Sequence, residues 1–135
     1  MQRLRALGHD VELDTGALRS QQRFAGTDAE RVEAIDRACA SQADIALISR
    51  GGYGLTRILP ALPYKRIAKA IERGTRFMGL SDFTAFQAAV LAQTGASTWA
   101  GPALGEDFGA DVVDDIMQAC FEDVLLGQGE GVGWR

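Results

Sequence analysis

The sequence predicts an α/β domain, a mainly parallel sheet with helices on both faces. Two observations carry this. Short apolar runs, Asp44–Ile48 and Arg76–Leu80, alternate with longer segments of helical spacing, the pattern of strand–helix–strand units. The first run is nearly continuous rather than alternating, which suits a parallel strand covered on both faces. A third observation concerns the ends of these runs. Ser49-Arg50-Gly51-Gly52-Tyr53-Gly54 follows the first and Leu80-Ser81-Asp82 the second. Both turns are expected at the carboxyl edge of the sheet, where open α/β folds bind ligands.

The elements follow in chain order. Residues 2–7 read as the end of a helix stopped by Gly8. His9–Leu13 reads as a strand, with Val11 and Leu13 on one face. Asp14–Gly26 is polar and irregular, a surface loop. Thr27-Asp28-Ala29-Glu30 has the form of a capping box. It opens a helix from Asp28 to about Ser41, with Val32, Ile35 and Cys39 at core spacing. Leu55–Leu59 allows one or two helical turns, ended by Pro60. Pro63 precedes a helix from Tyr64 to Arg73, closed by Gly74. Asp82–Thr94 is a helix with Phe83, Phe86 and Val90 on one face, ended by Gly95. Ser97–Ala100 is a strand broken by Gly101-Pro102, and a loop runs to Gly109. The last helix starts near Asp111 and buries Val113, Ile116, Met117, Cys120 and Val124. A sheet of about four strands results. The domain spans residues 1–126, and the glycine-rich stretch 127–135 reads as a linker or tail. The chain begins within a helix, so the domain is expected to lack an opening strand and to be truncated at both ends.

Bulk properties narrow the function. The chain has 135 residues, 47% of them hydrophobic, which fits one domain with an ordinary core. Fourteen Lys and Arg face 18 Asp and Glu, for a net charge of -4. No basic block stands out, so nucleic acid is not an expected partner. No apolar run is long enough to span a bilayer, and the first residues lack the apolar core of a signal peptide. Cys39 and Cys120 match no zinc spacing, and no metal or cofactor is expected. They read as buried free thiols, which points to the cytoplasm.

Two turns could carry chemistry. A serine raised between strand and helix can expose a hydroxyl nucleophile. Ser81 fits that description, and equally fits a helix N-cap, with Asp82 suited to the first turn. The Gly-x-Ser-x-Gly elbow of other hydrolases is not matched. Gly51, Gly52 and Gly54 let the backbone turn sharply and present amides to an anion; the same glycines would serve a plain turn. Neither nucleotide-binding glycine pattern is present. His9 is the only histidine and reads as a surface residue at the opposite edge of the sheet. Lys65 and Lys69 read as solvated helical residues. A neutral serine is a poor nucleophile without a positioned base, so these residues by themselves supply at most half an active site.

Residues 44–62, 76–95 and 98–109, together with 23–35, resemble the amino-terminal domain of the LD-carboxypeptidases. These are serine peptidases, also called muramoyltetrapeptide carboxypeptidases, with microcin C self-immunity relatives. The resemblance covers about residues 3–126 with the motifs in the same order, and implies a Rossmann-like fold of the class I glutamine amidotransferase kind. It implies that Ser81 is the nucleophile. The Asp82 amide and an amide from Gly51 or Gly52 would form the oxyanion hole, and Arg50 and Tyr53 would contact substrate. The implied reaction is release of terminal D-alanine from cytoplasmic murein tetrapeptides in cell-wall recycling. The resemblance also implies a carboxy-terminal domain that supplies a glutamate and a histidine. No residue here matches those two, so this chain alone is expected to be inactive. The sequence departs from the family at Ala100, where many relatives have histidine, and at Leu80, where an aromatic is common. Two non-enzymatic readings stand beside the peptidase: a small-peptide or anion-binding module, and a domain that forms a homodimer through apolar surface.

Overall fold

The computed structural model describes residues 1–128. Three parallel strands form one sheet in the order β1 (Ile45–Leu47), β2 (Arg76–Gly79), β3 (Trp99–Ala100). Ile45 stands opposite Arg76 and Leu47 opposite Met78, and Met78 stands opposite Trp99. Five helices pack around it: α1 (Gln2–Ala6), α2 (Asp28–Ala40), α3 (Tyr64–Glu72), α4 (Phe83–Thr94) and α5 (Asp115–Leu126). The fold class is the expected one.

Strand alternation divides the interior into two layers. Phe77, Ala46 and Ile48 join Cys39, Ile67, Phe86 and Val90 in one cluster, built with α2, α3 and α4. Met78, Ile45 and Leu47 join Leu4, Phe108 and Phe121 in the other, built with α1 and α5. Both β1 and β2 therefore have helices on both faces, as the nearly continuous apolar run of β1 requires.

Local chemistry sets most boundaries. The Thr27 hydroxyl accepts from the Glu30 amide at 3.2 Å, and the Glu30 carboxylate accepts from the Thr27 amide at 2.8 Å, so the capping box is complete. Gly8, Gly74 and Gly95 adopt the positive φ that stops α1, α3 and α4. Phe83, Phe86 and Val90 are the buried residues of α4.

Several expectations are corrected. His9–Leu13 is not a strand, so the sheet has three strands rather than four. A strand needs a neighbour for its amides, and this segment is tied instead to α1, with the His9 amide donating to Leu4 O and the Arg5 guanidinium to Val11 O. His9 is half-buried rather than a surface residue. Its ring meets Phe121 edge-on at 6.2 Å, with Nε2 enclosed and unpartnered. Pro60 does not end the helical turns after Gly54. It sits inside a second 3-10 turn, Leu59–Ala61, at a position whose missing N–H costs nothing.

The last helix starts at Asp115, not near Asp111, because the Asp114 carboxylate caps it by accepting from the Met117 amide at 2.7 Å. Its inward face is Met117, Phe121, Val124 and Leu125. Ile116 lies off that stripe and is 69% exposed. Cys39 is buried and Cys120 half-buried, and both are free thiols. The expected linker or tail lies outside the described residues from 129 onward.

Candidate active site

All three strands point the same way, so the turns that follow them open at one edge. The first is Ser49–Gly54. Gly54 has φ +96°, and a Cβ there would come within 2.4 Å of the Phe24 ring, so only glycine fits. Phe24 is itself held by the guanidinium of Arg31, 4.7 Å from the ring centre, and that of Arg57 at 5.5 Å. Tyr53 packs edge-on against Phe24, with ring centres 5.7 Å apart. Phe24 is thus the buttress of the glycine turn, a role that no local pattern marks.

The second turn carries Ser81 at φ +60°, one of three non-glycine residues with positive φ among those described. Left-handed backbone disfavours an L side chain, yet the β2-to-α4 reversal imposes it here. Ser81 is exposed, and its hydroxyl has no hydrogen-bond partner among the described residues. The N-cap alternative is thereby corrected: Asp82, not Ser81, stands at the N-cap of α4. The Asp82 carboxylate turns away from its own helix and accepts from the Leu55 amide at 2.9 Å. The amides of Ser81 and Asp82 donate to no acceptor among the described residues.

The two turns face each other. A Cβ placed on Gly51 would lie 3.1 Å from Ser81 Cβ and 3.4 Å from Ser81 Oγ. Any side chain at Gly51 would press against Ser81. Gly52 has open space around it. Arg50 is exposed, with its Nε donating to Gly51 O at 3.1 Å. Tyr53 is 57% exposed, and its hydroxyl accepts from Arg23 at 3.4 Å.

The third turn, Gly101–Gly109, brings a residue that the sequence did not mark. The Glu106 carboxylate accepts from the Gly51 amide at 3.0 Å. Its loop is fastened to the end of β1, where Leu104 and Gly105 amides donate to Ile48 O and Ser49 O at 2.9 and 2.8 Å. Leu80 lines an apolar cavity of about 290 Å³ with Met78, Pro102 and Phe121.

Six residues named from the sequence, Arg50, Gly51, Gly52, Tyr53, Ser81 and Asp82, therefore lie on two adjoining turns. No hydrogen bond joins His9 to Ser81, and Lys65 and Lys69 are exposed on α3. Among the described residues no group of acidic, histidine or cysteine side chains could hold a metal ion. None of their helices is long and apolar enough to cross a membrane.

Comparison with known proteins bears on the fold and the family. The family description "LD-carboxypeptidase N-terminal domain" matches residues 1–101. A Streptomyces coelicolor protein named as a carboxypeptidase is 38% identical over 87 residues, covering 63% of this chain and 27% of its own length. A Bacillus subtilis protein named as a murein peptide carboxypeptidase is 31% identical over 124 residues, covering 90% of this chain and 38% of its own. The chain thus spans well under half the length of the curated relatives it matches. The crystal structure of muramoyltetrapeptide carboxypeptidase from Oxalobacter formigenes superposes with a TM-score of 0.81 at 32% identity, over 92% of this chain and 41% of that one. The microcin C7 self-immunity protein in complex with aspartyl sulfamoyl adenosine superposes at 0.71 and 28% identity, over 81% of this chain and 32% of that one. The chain belongs to the LD-carboxypeptidase family and carries its amino-terminal domain.

Proposed function

We propose that this domain bears the nucleophile of a serine-type carboxypeptidase that releases terminal D-alanine from murein tetrapeptides in the cytoplasm. The observation that supports it most directly is Ser81 itself: an exposed, unpartnered hydroxyl on a positive-φ turn, closely faced by Gly51. Ser81 Oγ attacks the scissile carbonyl carbon and loses its proton to a histidine. That histidine, oriented by a glutamate, comes from a further domain of the longer protein. It then gives the proton to the leaving amine of D-alanine, and water hydrolyses the acyl-enzyme. The Asp82 amide and an amide of the Gly51-Gly52 pair receive the charge that develops on the carbonyl oxygen. The loss of one such donor typically costs about 10²–10³ in rate. Arg50 and Tyr53 flank the peptide.

The test is Ser81→Ala in the full-length enzyme. Release of D-alanine falls to background, and substantial residual turnover sinks the assignment. The 135-residue chain alone releases none; turnover by it would mean that a proton acceptor lies within these residues.

A further inference from the structure

Both ends of Gly51 are occupied. Its amide donates to Glu106, and its carbonyl accepts from Arg50. The first bond joins residues 55 apart in sequence, so the fold has to bring them together. The post-β3 loop does this with two backbone bonds to Ile48 and Ser49 and with a third from the Ala103 amide to Asp107 at 2.7 Å. Ala103 and Phe108 are buried on either side of Glu106. The segment is held at both ends while Glu106 itself stays exposed.

Glu106 forms no ion pair among the described residues, although Arg50 lies beside the amide it holds. A carboxylate on a backbone amide at the end of a parallel strand uses the chemistry that binds an anionic ligand at that place. A Cβ on Gly51 would be 3.4 Å from both Glu106 Oε2 and Ser81 Oγ. The carboxylate and the serine hydroxyl therefore border the same small space.

We propose that Glu106 is an internal competitor for the anion position beside Ser81. It holds the Gly51 amide in the free protein and yields it to a carboxylate of a peptide ligand, which Arg50 helps to attract. This deepens the reading of Ser81 as a nucleophile and rests on it for the identity of the ligand. It concerns a different group and can fail separately. Glu106 acts here as a positioning residue, since it governs which amide is free and takes no part in bond making.

The test uses the 135-residue chain labelled with ¹⁵N, with sodium acetate as the probe at constant ionic strength. The Gly51 and Gly52 amide signals are followed in the wild type, Glu106→Ala and Glu106→Gln. Removal of a net exposed, charge-assisted bond corresponds to about a fivefold tighter apparent affinity for acetate in Glu106→Ala. Glu106→Gln, which keeps an acceptor and loses the charge, falls between the two. The remaining amide signals report whether each variant is folded, and Glu106→Gln gives the comparison if Glu106→Ala is not. Equal affinities in all three, weaker binding in the variants, or a Gly51 amide that acetate never moves overturns the proposal. The nucleophile reading is judged by D-alanine release from Ser81→Ala full-length enzyme, so either can fall while the other stands.

Discussion

The Asp82 carboxylate accepts a hydrogen bond from the Leu55 amide at 2.9 Å, across 27 residues of sequence. This bond ties the exit of the glycine turn to the residue that ends the serine turn and caps α4. It fixes the distance between two loops that belong to different strands. Asp82→Ala leaves the partly buried Leu55 amide without its partner and is expected to cost about 1–2 kcal/mol in urea unfolding. Asp82→Asn keeps an acceptor oxygen and loses less. Equal losses in the two variants would show that the bond is not what the side chain contributes.

Ser81 at φ +60° holds a conformation that costs an L residue roughly 1–2 kcal/mol. Serine to glycine in an ordinary position loses about 0.5–1 kcal/mol through backbone entropy. At position 81 relief of strain offsets that loss. Ser81→Gly is expected to unfold at the same urea concentration as the parent or a higher one. A clear drop in the midpoint would mean that the turn stores no strain.

Gly54→Ala meets two obstacles, its φ of +96° and the Phe24 ring 2.4 Å from the new Cβ. Together these predict a loss of about 2–4 kcal/mol. Removal of the ring in Phe24→Ala/Gly54→Ala relieves the crowding and leaves the backbone term. The double variant should therefore lose less than the sum of the two single ones. Simple additivity would show that Phe24 does not buttress the turn.

The two thiols should behave differently. Burial pushes the Cys39 thiol up to about 11, and the carboxylate of Asp36 adds to the shift. The thiolate is the reactive form, so Cys39 should resist a disulfide reagent at pH 8 until the chain unfolds. Cys120, half-buried on α5, should react in the native state. Rapid modification of both thiols in the folded protein would contradict this.

Acid should act partly through Asp14. Two bonds from Arg37, at 2.7 and 3.0 Å, hold its carboxyl below the ordinary carboxylate value of 3.8, against a smaller opposing effect of burial. A carboxyl with a lowered value in the fold contributes stability that is complete above its unfolded value. That contribution disappears as pH falls through the folded one. Asp14→Asn should flatten stability against pH below about pH 4. An unchanged curve would assign the acid transition to other carboxyls.

The parts of the fold legible in the sequence were those set by neighbouring residues. Thr27 and Glu30 announce a helix start because the capping box is complete within four positions. Phe83, Phe86 and Val90 announce a buried face because their spacing is that of one helix side. The two turns were legible because glycine and serine follow short apolar runs. Legibility failed where a distant residue decided the outcome. His9–Leu13 has the pattern of a strand but no strand beside it. Phe121, the anchor of α5, does not stand out from Ile116, since α5 carries apolar residues on more than one side and packing on Leu4, Met78 and Phe108 decides which side is buried. Nothing local marks Glu106 or Phe24: one is a charged loop residue, the other a lone aromatic in a polar stretch. Whether Ser81 caps or protrudes was likewise open from spacing, and was decided by the reversal that the chain makes between β2 and α4.

The place of β2 has a consequence in time as well as in space. It alone among the three strands has a bonded neighbour on each edge and a packed layer on each face. Its amides should be the last in the domain to exchange with deuterated solvent, requiring something close to global opening. One residue past its end, the Leu80–Ser81 turn is bonded to little and should exchange within seconds. The serine thus stands at the sharpest boundary of the molecule's clock, fixed from behind by its slowest segment and free in front to meet whatever arrives.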